Sequence, residues 1–119
     1  LFTAGAALSG DYNQAVMPGD RLMTALYGPY HRFKKRWQSV DNPCYAVKRG
    51  QWRMHLYIGH GKKDTVVPVR QSRMFYRVLH KRCPDLHITY HEDSGAGHDF
   101  NYWDSELDAV FAFFKKVSS

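Results

Sequence analysis

The chain has 119 residues, 44% of them hydrophobic and 24% charged, and carries a formal net charge of +6. This composition excludes a disordered chain, the length allows at most one domain, and no apolar run is long enough for a transmembrane helix. Two cysteines, Cys44 and Cys83, are too few and too widely spaced for a disulfide scaffold or a zinc site. We expect two buried free thiols. A single disulfide between them is the alternative if the protein is exported, so the sequence does not decide the compartment.

The first element in chain order is a strand from Ala4 to Leu8, which the turn residues Ser9-Gly10-Asp11 follow. A strand this rich in alanine and glycine fills space only where helices pack closely on both of its faces. It is therefore predicted to be buried in the centre of a parallel sheet. Asp11 could serve as a catalytic acid, but we favour a role in capping the turn.

Residues 11–50 are irregular and contain signals for short helices only. Asp20 is a suitable N-cap for a helix that Gly28-Pro29 ends, one or two helical turns are predicted over residues 33–40, and Asn42-Pro43 starts a further short helix. A long run of short elements between two strands usually lies over a sheet edge or a binding cleft. No linker composition separates this segment from the rest, so no domain boundary is placed in it.

Aromatic and basic residues are interleaved in this segment. Four aromatic side chains could line an acyl pocket, although core packing is the commoner role; they are Tyr12, Tyr27, Phe33 and Trp37. Four basic residues surround two of these rings, namely Arg32, Lys34, Lys35 and Arg36. No nucleic-acid recognition motif accompanies them, so a solvated surface is favoured and neither a nucleic-acid nor a membrane partner is expected.

The second half of the chain alternates between strands and helices. A strand over residues 54–58 ends at Gly59-His60-Gly61, and a helix runs from about Val69 to just before Pro84. Apolar residues then alternate with polar ones over residues 86–91, which is typical of a half-buried strand. This alternation predicts an α/β fold with a mostly parallel sheet and helices on both faces.

The last helix has the clearest pattern in the chain. Its buried face is predicted to be an apolar stripe that consists of Trp103, Leu107, Val110, Phe111 and Phe114. Acidic residues occupy its first turns and lysines its last turn, which suits the helix dipole; they are Asp104, Glu106, Asp108, Lys115 and Lys116.

An acid and a histidine follow the last two predicted strands. Asp64 and His98 should lie at the same edge of the sheet, because the carboxyl ends of parallel strands meet there and bind ligands. A carboxylate that binds one imidazole nitrogen orients the ring and makes the other nitrogen a general base. The structural alternative is that Asp64 caps a turn and His98 packs under the last helix. Gly59 and Gly61 are expected to let the chain turn sharply beneath Asp64, and Gly95 and Gly97 to free the His98 loop to reach over the crevice.

The seven histidines raise the question of a metal site. Four of them could converge with an acid, namely His55, His60, His91 and His98 with Asp64 or Asp99. No HExxH or comparable ligand spacing occurs, so we expect no metal and no other cofactor.

Two segments resemble motifs of known enzymes. His60-Gly61-Lys62-Lys63-Asp64-Thr65-Val66-Val67-Pro68 resembles the acid loop of α/β-hydrolases, in which Gly-x-x-Asp is followed by Val-Pro and a helix. Gly97-His98-Asp99-Phe100-Asn101-Tyr102-Trp103-Asp104 is similar to the histidine loop of esterase D-like and tributyrin-esterase-like carboxylesterases. Residues 2–10 resemble the strand after the nucleophile helix. The resemblance implies that Asp64 and His98 are the acid and base of a Ser-Asp-His triad.

The chain departs from that family at the nucleophile. The triad serine stands on a Gly-x-Ser-x-Gly elbow, and no such motif occurs in this sequence. We expect the nucleophile and the oxyanion-hole loop to precede Leu1, so residues 1–119 would be the C-terminal part of a single α/β-hydrolase domain. Alone, this part should be inactive, and it should aggregate or bind the missing N-terminal portion of the same fold.

The resemblance implies a serine carboxylesterase that hydrolyses small esters through an acyl-enzyme. A prolyl-oligopeptidase-like peptidase or acyl-peptide hydrolase is the alternative enzyme, because it shares both loops. A non-catalytic interaction module that lost its nucleophile is the third reading.

Overall fold

The computed structural model of the protein describes residues 2–47, 49–50 and 52–118. Three parallel strands form one sheet in the order β1-β2-β3, with β1 at Ala4–Leu8, β2 at His55–Gly61 and β3 at His87–Asp93. The helices are α1 (Arg21–Tyr27), α2 (Lys34–Trp37), α3 (Pro43–Ala46), α4 (Arg70–Arg82) and α5 (Phe100–Ser118), and a short 3-10 helix spans Gln14–Val16. None of the described helices is long and apolar enough to cross a bilayer.

Helices cover both faces of the sheet, as the α/β prediction requires. Side chains alternate along β2, so Ile58 packs on one face with Phe75 and Leu79 of α4. Tyr57 points to the other face and packs against Val110 and Phe113 of α5. The predicted fold class is confirmed, and its two cores place the carboxyl ends of β2 and β3 between α4 and α5.

The short helices of the segment between β1 and β2 begin where the sequence predicts. Asp20 accepts a hydrogen bond from the Met23 N–H at 2.8 Å, and α1 ends at Gly28, whose φ of 80° favours glycine. Asn42 likewise caps α3 through the N–H of Cys44. These capping residues act on their own neighbours, which is why the pattern predicts them correctly.

The aromatic residues of this segment contribute mainly to packing. The Tyr12 ring stacks on Phe75 with centroids 4.2 Å apart, and Trp37 is completely buried, with its indole N–H bonded to the Gly28 carbonyl. Phe33 remains partly exposed. Core packing, the commoner role, therefore holds for Tyr12 and Trp37.

A buried glutamine ties the segment to α4. Gln71 accepts from the N–H groups of Tyr12 and Asn13 at 3.1 and 2.8 Å and donates to the Asn13 carbonyl at 3.0 Å. The Asn13 side chain in turn accepts from Asn42, which also donates to the Trp37 carbonyl. These bonds satisfy polar groups that would otherwise be costly to bury. They fix the segment to the helix that follows the acid loop.

The burial predicted for the first strand is wrong. Among the described residues β1 pairs only with β2, and its residues are half-buried or exposed rather than enclosed. One edge of β1 therefore has no strand beside it, and small side chains there leave backbone accessible.

The predicted end of β2 is also wrong. The strand continues through Gly59, His60 and Gly61, which pair with His91, Glu92 and Asp93 of β3. Glycine suits this part of the strand because neighbouring groups lie close, namely the Tyr102 hydroxyl at Gly59 and the Ala96 carbonyl at Gly61.

The predicted buried face of α5 is rotated. Val110 is buried as expected, but Leu107 and Phe111 are exposed, while Tyr102, Glu106 and Phe113 are buried. Glu106 lies within the interface with the sheet, where its Oε1 accepts from the Tyr57 hydroxyl at 2.5 Å and contacts His91 Nδ1 at 2.7 Å. A carboxylate can be buried when hydrogen-bond partners satisfy it, so the charge of Glu106 did not indicate whether its side chain is exposed.

Both cysteines are buried, and no disulfide joins Cys44 and Cys83. This agrees with the prediction of buried thiols. Burial, together with the charge of Asp11, raises the pKa of the Cys44 thiol to about 11.

Candidate active site

Asp64 lies in the loop after β2 and is held by its own backbone. Its Oδ1 accepts hydrogen bonds from the N–H groups of Val66 and Val67 at 2.9 and 2.8 Å, so the carboxylate closes a tight turn. The residue is 7% exposed. The turn occupies only one carboxylate oxygen and leaves Oδ2 for another donor.

His98 lies in the loop between β3 and α5, and its ring reaches that second oxygen. Its Nδ1 is 2.8 Å from Asp64 Oδ2, with the imidazole about a quarter exposed. Since a carboxylate only accepts, Nδ1 donates, and Nε2 is the basic nitrogen of the neutral ring. Asp64 therefore both caps a turn and contacts a histidine. The alternative prediction, in which Asp64 only caps a turn, accounts for the contacts of Oδ1 but not for that of Oδ2.

The two loops are joined by backbone contacts at their bases. The N–H of Lys62 donates to the Asp93 carbonyl at 2.8 Å, and the N–H of Lys63 donates to the Ala96 carbonyl at 2.9 Å. A β-carbon on Gly61 would lie 2.3 Å from the Ala96 oxygen. Glycine is needed here for close approach.

The prediction that Gly59 and Gly61 let the chain turn sharply is wrong, because both are extended residues of β2. The positive-φ glycines of the described chain are Gly28 and Gly50, both remote in sequence from the two loops. Gly61 is instead extended in β2, where it serves the contact with Ala96. The sequence showed that glycines flank the acid loop, but it did not indicate that Gly61 is needed for close contact with Ala96.

A tryptophan supports the His98 ring from α5. The Trp103 ring meets it edge-on, with centroids 5.1 Å apart and planes at 84°. The indole N–H donates to Ser9 Oγ at 3.0 Å, and Ser9, directly after β1, is buried with a φ of 57°. Non-glycine residues rarely adopt this φ, so the end of β1 is held in a strained conformation beside the site. The sequence indicated Ser9 only as a turn residue.

The remaining candidate residues have other contacts. His55 stacks on His87 at the amino ends of their strands, 4.8 Å between centroids, while His91 bonds to Glu106. Asp99 caps α5 by accepting from the Tyr102 N–H. No group of three or more metal-ligating side chains is found in the part of the chain that the structure describes.

Asp11 is separate from the acid–histidine pair, and its buried Oδ1 has no hydrogen-bond partner among the described residues. Burial, and then the charge of Asp20, raises the pKa of its carboxyl group. A carboxyl group that resists ionisation is a poor partner for an imidazolium.

His60 is the one other histidine at the pair. Its ring is fully buried, and Nε2 lies 3.3 Å from Asp64 Oδ2. The resemblance placed His60 in the acid loop without giving it a role. The sequence carries no local signal for this contact, because the burial of His60 follows from the extension of β2 beneath the acid loop.

The chain is thus an α/β unit in which the loops of Asp64 and His98 meet at one edge of a three-stranded parallel sheet. No protein-family model matches the chain, and no curated protein matches it in sequence. Solved structures do match in fold, and esterases and peptidases are among them.

Two esterases and a peptidase illustrate the likeness. A truncated carbohydrate esterase from gut microbiota matches with a TM-score of 0.72 at 21% identity, covering 98% of this chain and 43% of that one. The propionate-bound esterase Est2 of the Planctomycetes species Thermogutta terrifontis gives 0.63 at 17%, covering 97% and 43%. Porphyromonas gingivalis dipeptidyl peptidase 4 gives 0.66 at 17%, covering 96% and 16%. The chain therefore has the fold of less than half of each of these proteins.

Proposed function

We propose that this chain supplies the acid and the base of a serine carboxylesterase, with Asp64 and His98 in those roles. The observation that supports it is the 2.8 Å contact between His98 Nδ1 and a carboxylate that two backbone N–H groups already fix. Such a carboxylate orients the imidazole and stabilises the imidazolium that forms during acyl transfer.

In this proposal His98 Nε2 takes the proton of a serine hydroxyl as its oxygen attacks the ester carbonyl. The same proton passes from Nε2 to the leaving alcohol, and an acyl-enzyme remains. Water then attacks the acyl carbon and gives a proton to His98 Nε2, the bond to the serine oxygen breaks as the carboxylic acid leaves, and Nε2 returns the proton to the serine oxygen. Asp64 stays ionised throughout and holds the ring in the Nδ1–H tautomer.

The serine and the oxyanion donors are proposed to come from the remainder of the same fold. The chain spans 43% of the esterases that it resembles, and it contains no Gly-x-Ser-x-Gly motif. The free edge of β1 is a suitable site for a further parallel strand. Apolar side chains that a neighbouring element would cover are also exposed, among them Phe2 (94%), Phe100 (83%) and Phe111 (63%). Residues 1–119 alone are therefore expected to be inactive.

The test is turnover of an aryl acetate by the full natural protein and its variants. His98→Ala and Asp64→Asn should each lower kcat by roughly 10³- to 10⁴-fold, because one removes the base and the other disturbs its tautomer. His31→Ala and Asp41→Asn are matched controls on exposed residues and should keep full activity. Variants of Asp64 and His98 that retained most of the turnover would refute the assignment.

A serine peptidase or acyl-peptide hydrolase is the second candidate, and the likeness to dipeptidyl peptidase 4 is what favours it. The same triad cleaves amides and esters, so the acid and histidine contacts do not separate the two. Comparing kcat/KM for an aryl acetate with that for a peptidyl anilide distinguishes them. A clear preference for the anilide would assign the peptidase.

A further inference from the structure

His60 occupies a fully buried position at the end of β2, beneath the acid loop. Both of its ring nitrogens have partners. Nδ1 lies 2.6 Å from Ser72 Oγ in the first turn of α4, and Nε2 lies 2.7 Å from the Val67 carbonyl oxygen and 3.3 Å from Asp64 Oδ2. The ring therefore contacts three elements: the strand end that carries it, the acid loop and α4.

The partners determine which nitrogen carries the proton. Nε2 faces a carbonyl and a carboxylate, and both of these only accept, so Nε2 is protonated. The Ser72 hydroxyl can donate, which leaves Nδ1 free to accept from it. With Nε2–H directed at the two acceptors and Nδ1 accepting from Ser72, every polar contact of the ring is satisfied.

We propose that His60 is a positioning residue for the acid–histidine pair, an inference that rests on the function proposed above. Its Nε2–H is directed at both ends of the Asp64–Val67 turn, since the Val67 carbonyl and Asp64 Oδ2 lie within reach of the same proton. The backbone fixes Oδ1, and His60 limits how far Oδ2 can rotate. Asp64 then presents Oδ2 to His98 Nδ1 in one orientation.

Two substitutions separate this role from the filling of space. The Nε2 of glutamine can occupy the place of His60 Nε2, so His60→Gln keeps a donor toward Val67 and Asp64 and loses the bond to Ser72. The shorter asparagine reaches only the place of Nδ1, so His60→Asn keeps the bond to Ser72 and loses the donor at the acid loop. If His60 only filled space, the two variants would have the same effect on the His98 tautomer, or His60→Gln would have the larger effect.

The readout is the tautomer of His98, taken from the ¹⁵N shifts of its ring in the full natural protein. The spectra are recorded roughly two pH units above the ordinary histidine pKa, where free imidazole is neutral. Wild type and His60→Gln should show the Nδ1–H form. His60→Asn should shift toward the Nε2–H form that Asp64→Asn produces.

Kinetics give a second readout. With an aryl acetate, His60→Asn should lower kcat by about 10- to 100-fold with little change in KM, because a small misplacement of a catalytic group is costly in the chemical step. If His60→Asn does not fold, His60→Met replaces it, since methionine fills the space without a donor toward Asp64 Oδ2, and the same shift at His98 is expected. Retention of the wild-type His98 tautomer in the variant that folds would overturn the proposal. The tautomer is measured without turnover. If the full natural protein had no esterase activity, the proposed function would be refuted, but the tautomer measurement would still test the role of His60.

Discussion

Gly61 lies against the backbone of Ala96 so closely that a β-carbon on Gly61 would meet the carbonyl oxygen at 2.3 Å and the carbonyl carbon at 2.6 Å. Real β-carbons do not approach backbone atoms to this distance, so either the strand end or the histidine loop would have to move. The contact brings the loop of His98 over the end of the strand that leads to Asp64. Absence of a side chain at Gly61 is thus a condition for the 2.8 Å contact between the acid and the histidine.

Gly61→Ala is predicted to separate the two loops. The free energy of unfolding should fall by about 1–3 kcal/mol, as for other overpacked sites. Aryl-acetate turnover by the full natural protein should fall with it. Gly95→Ala is the matched control, because its nearest neighbour is a side-chain oxygen at 3.8 Å. Urea denaturation measures the stability of both variants. Equal stability of Gly61→Ala and Gly95→Ala would show that the loop at Ala96 can move without cost.

Ser9 and Trp103 are predicted to be energetically coupled through the bond between the indole N–H and the serine hydroxyl. Ser9→Ala leaves the indole without its acceptor, and Trp103→Phe removes the donor while keeping an aromatic ring beside His98. Each should cost about 1–3 kcal/mol of unfolding free energy, with a coupling of roughly 0.5–3 kcal/mol in the double-mutant cycle. Strictly additive effects would mean that the hydrogen bond contributes nothing measurable.

Tyr57 is predicted to anchor α5 to the sheet through Glu106. Burial, and then the bond to the carboxylate, raises the pKa of the Tyr57 phenol, so the hydroxyl stays protonated and donates. Tyr57→Phe removes a donor from a buried carboxylate and should destabilise the protein by about 1–3 kcal/mol. Tyr45→Phe, on an exposed ring, should change stability little. Thermal unfolding followed by circular dichroism compares the two, and equal melting temperatures would contradict the anchor.

Arg73 and Glu92 are predicted to make stability depend on pH in the acid range. Hydrogen bonds from Arg73, opposed by burial and aided by Tyr90, hold the pKa of the Glu92 carboxyl at about 2, below its ordinary 4.5. A lowered pKa means that the ionised form is favoured by folding, so this contribution is present above about pH 4.5 and is lost as the pH falls toward 2.

Arg73→Met should therefore lower the urea midpoint at pH 7, and the difference from wild type should vanish near pH 2. The exposed Arg77 on the same helix is the control, because Arg77→Met should give no acid-dependent difference. A gap between wild type and Arg73→Met that stayed constant with pH would show that packing rather than charge is lost.

Local signals predicted the parts of the fold that local contacts determine. Asp20 and Asn42 cap helices through neighbouring N–H groups, and the loops of Asp64 and His98 follow strands whose patterns are clear. The buried face of α5 could not be predicted in the same way, because apolar residues surround much of that helix. Which of them are buried depends on the sheet, where Glu106 finds Tyr57 and His91.

Contacts between distant residues were equally out of reach. The bonds of Gln71 to Tyr12 and Asn13 join positions nearly sixty residues apart. Nothing in the residues around Gln71 indicates an amide that lies fully buried. The tertiary fold alone gives it partners.

Gln71 binds main-chain atoms of Tyr12 and Asn13, whereas the next residue, Ser72, binds His60 below the acid. Because backbone groups are common to every amino acid, these three bonds do not depend on which side chains stand at positions 12 and 13. The first residues of the segment between β1 and β2 can therefore differ in composition and keep these bonds to α4. The contact of Ser72 with His60 beneath Asp64 is unaffected by such changes.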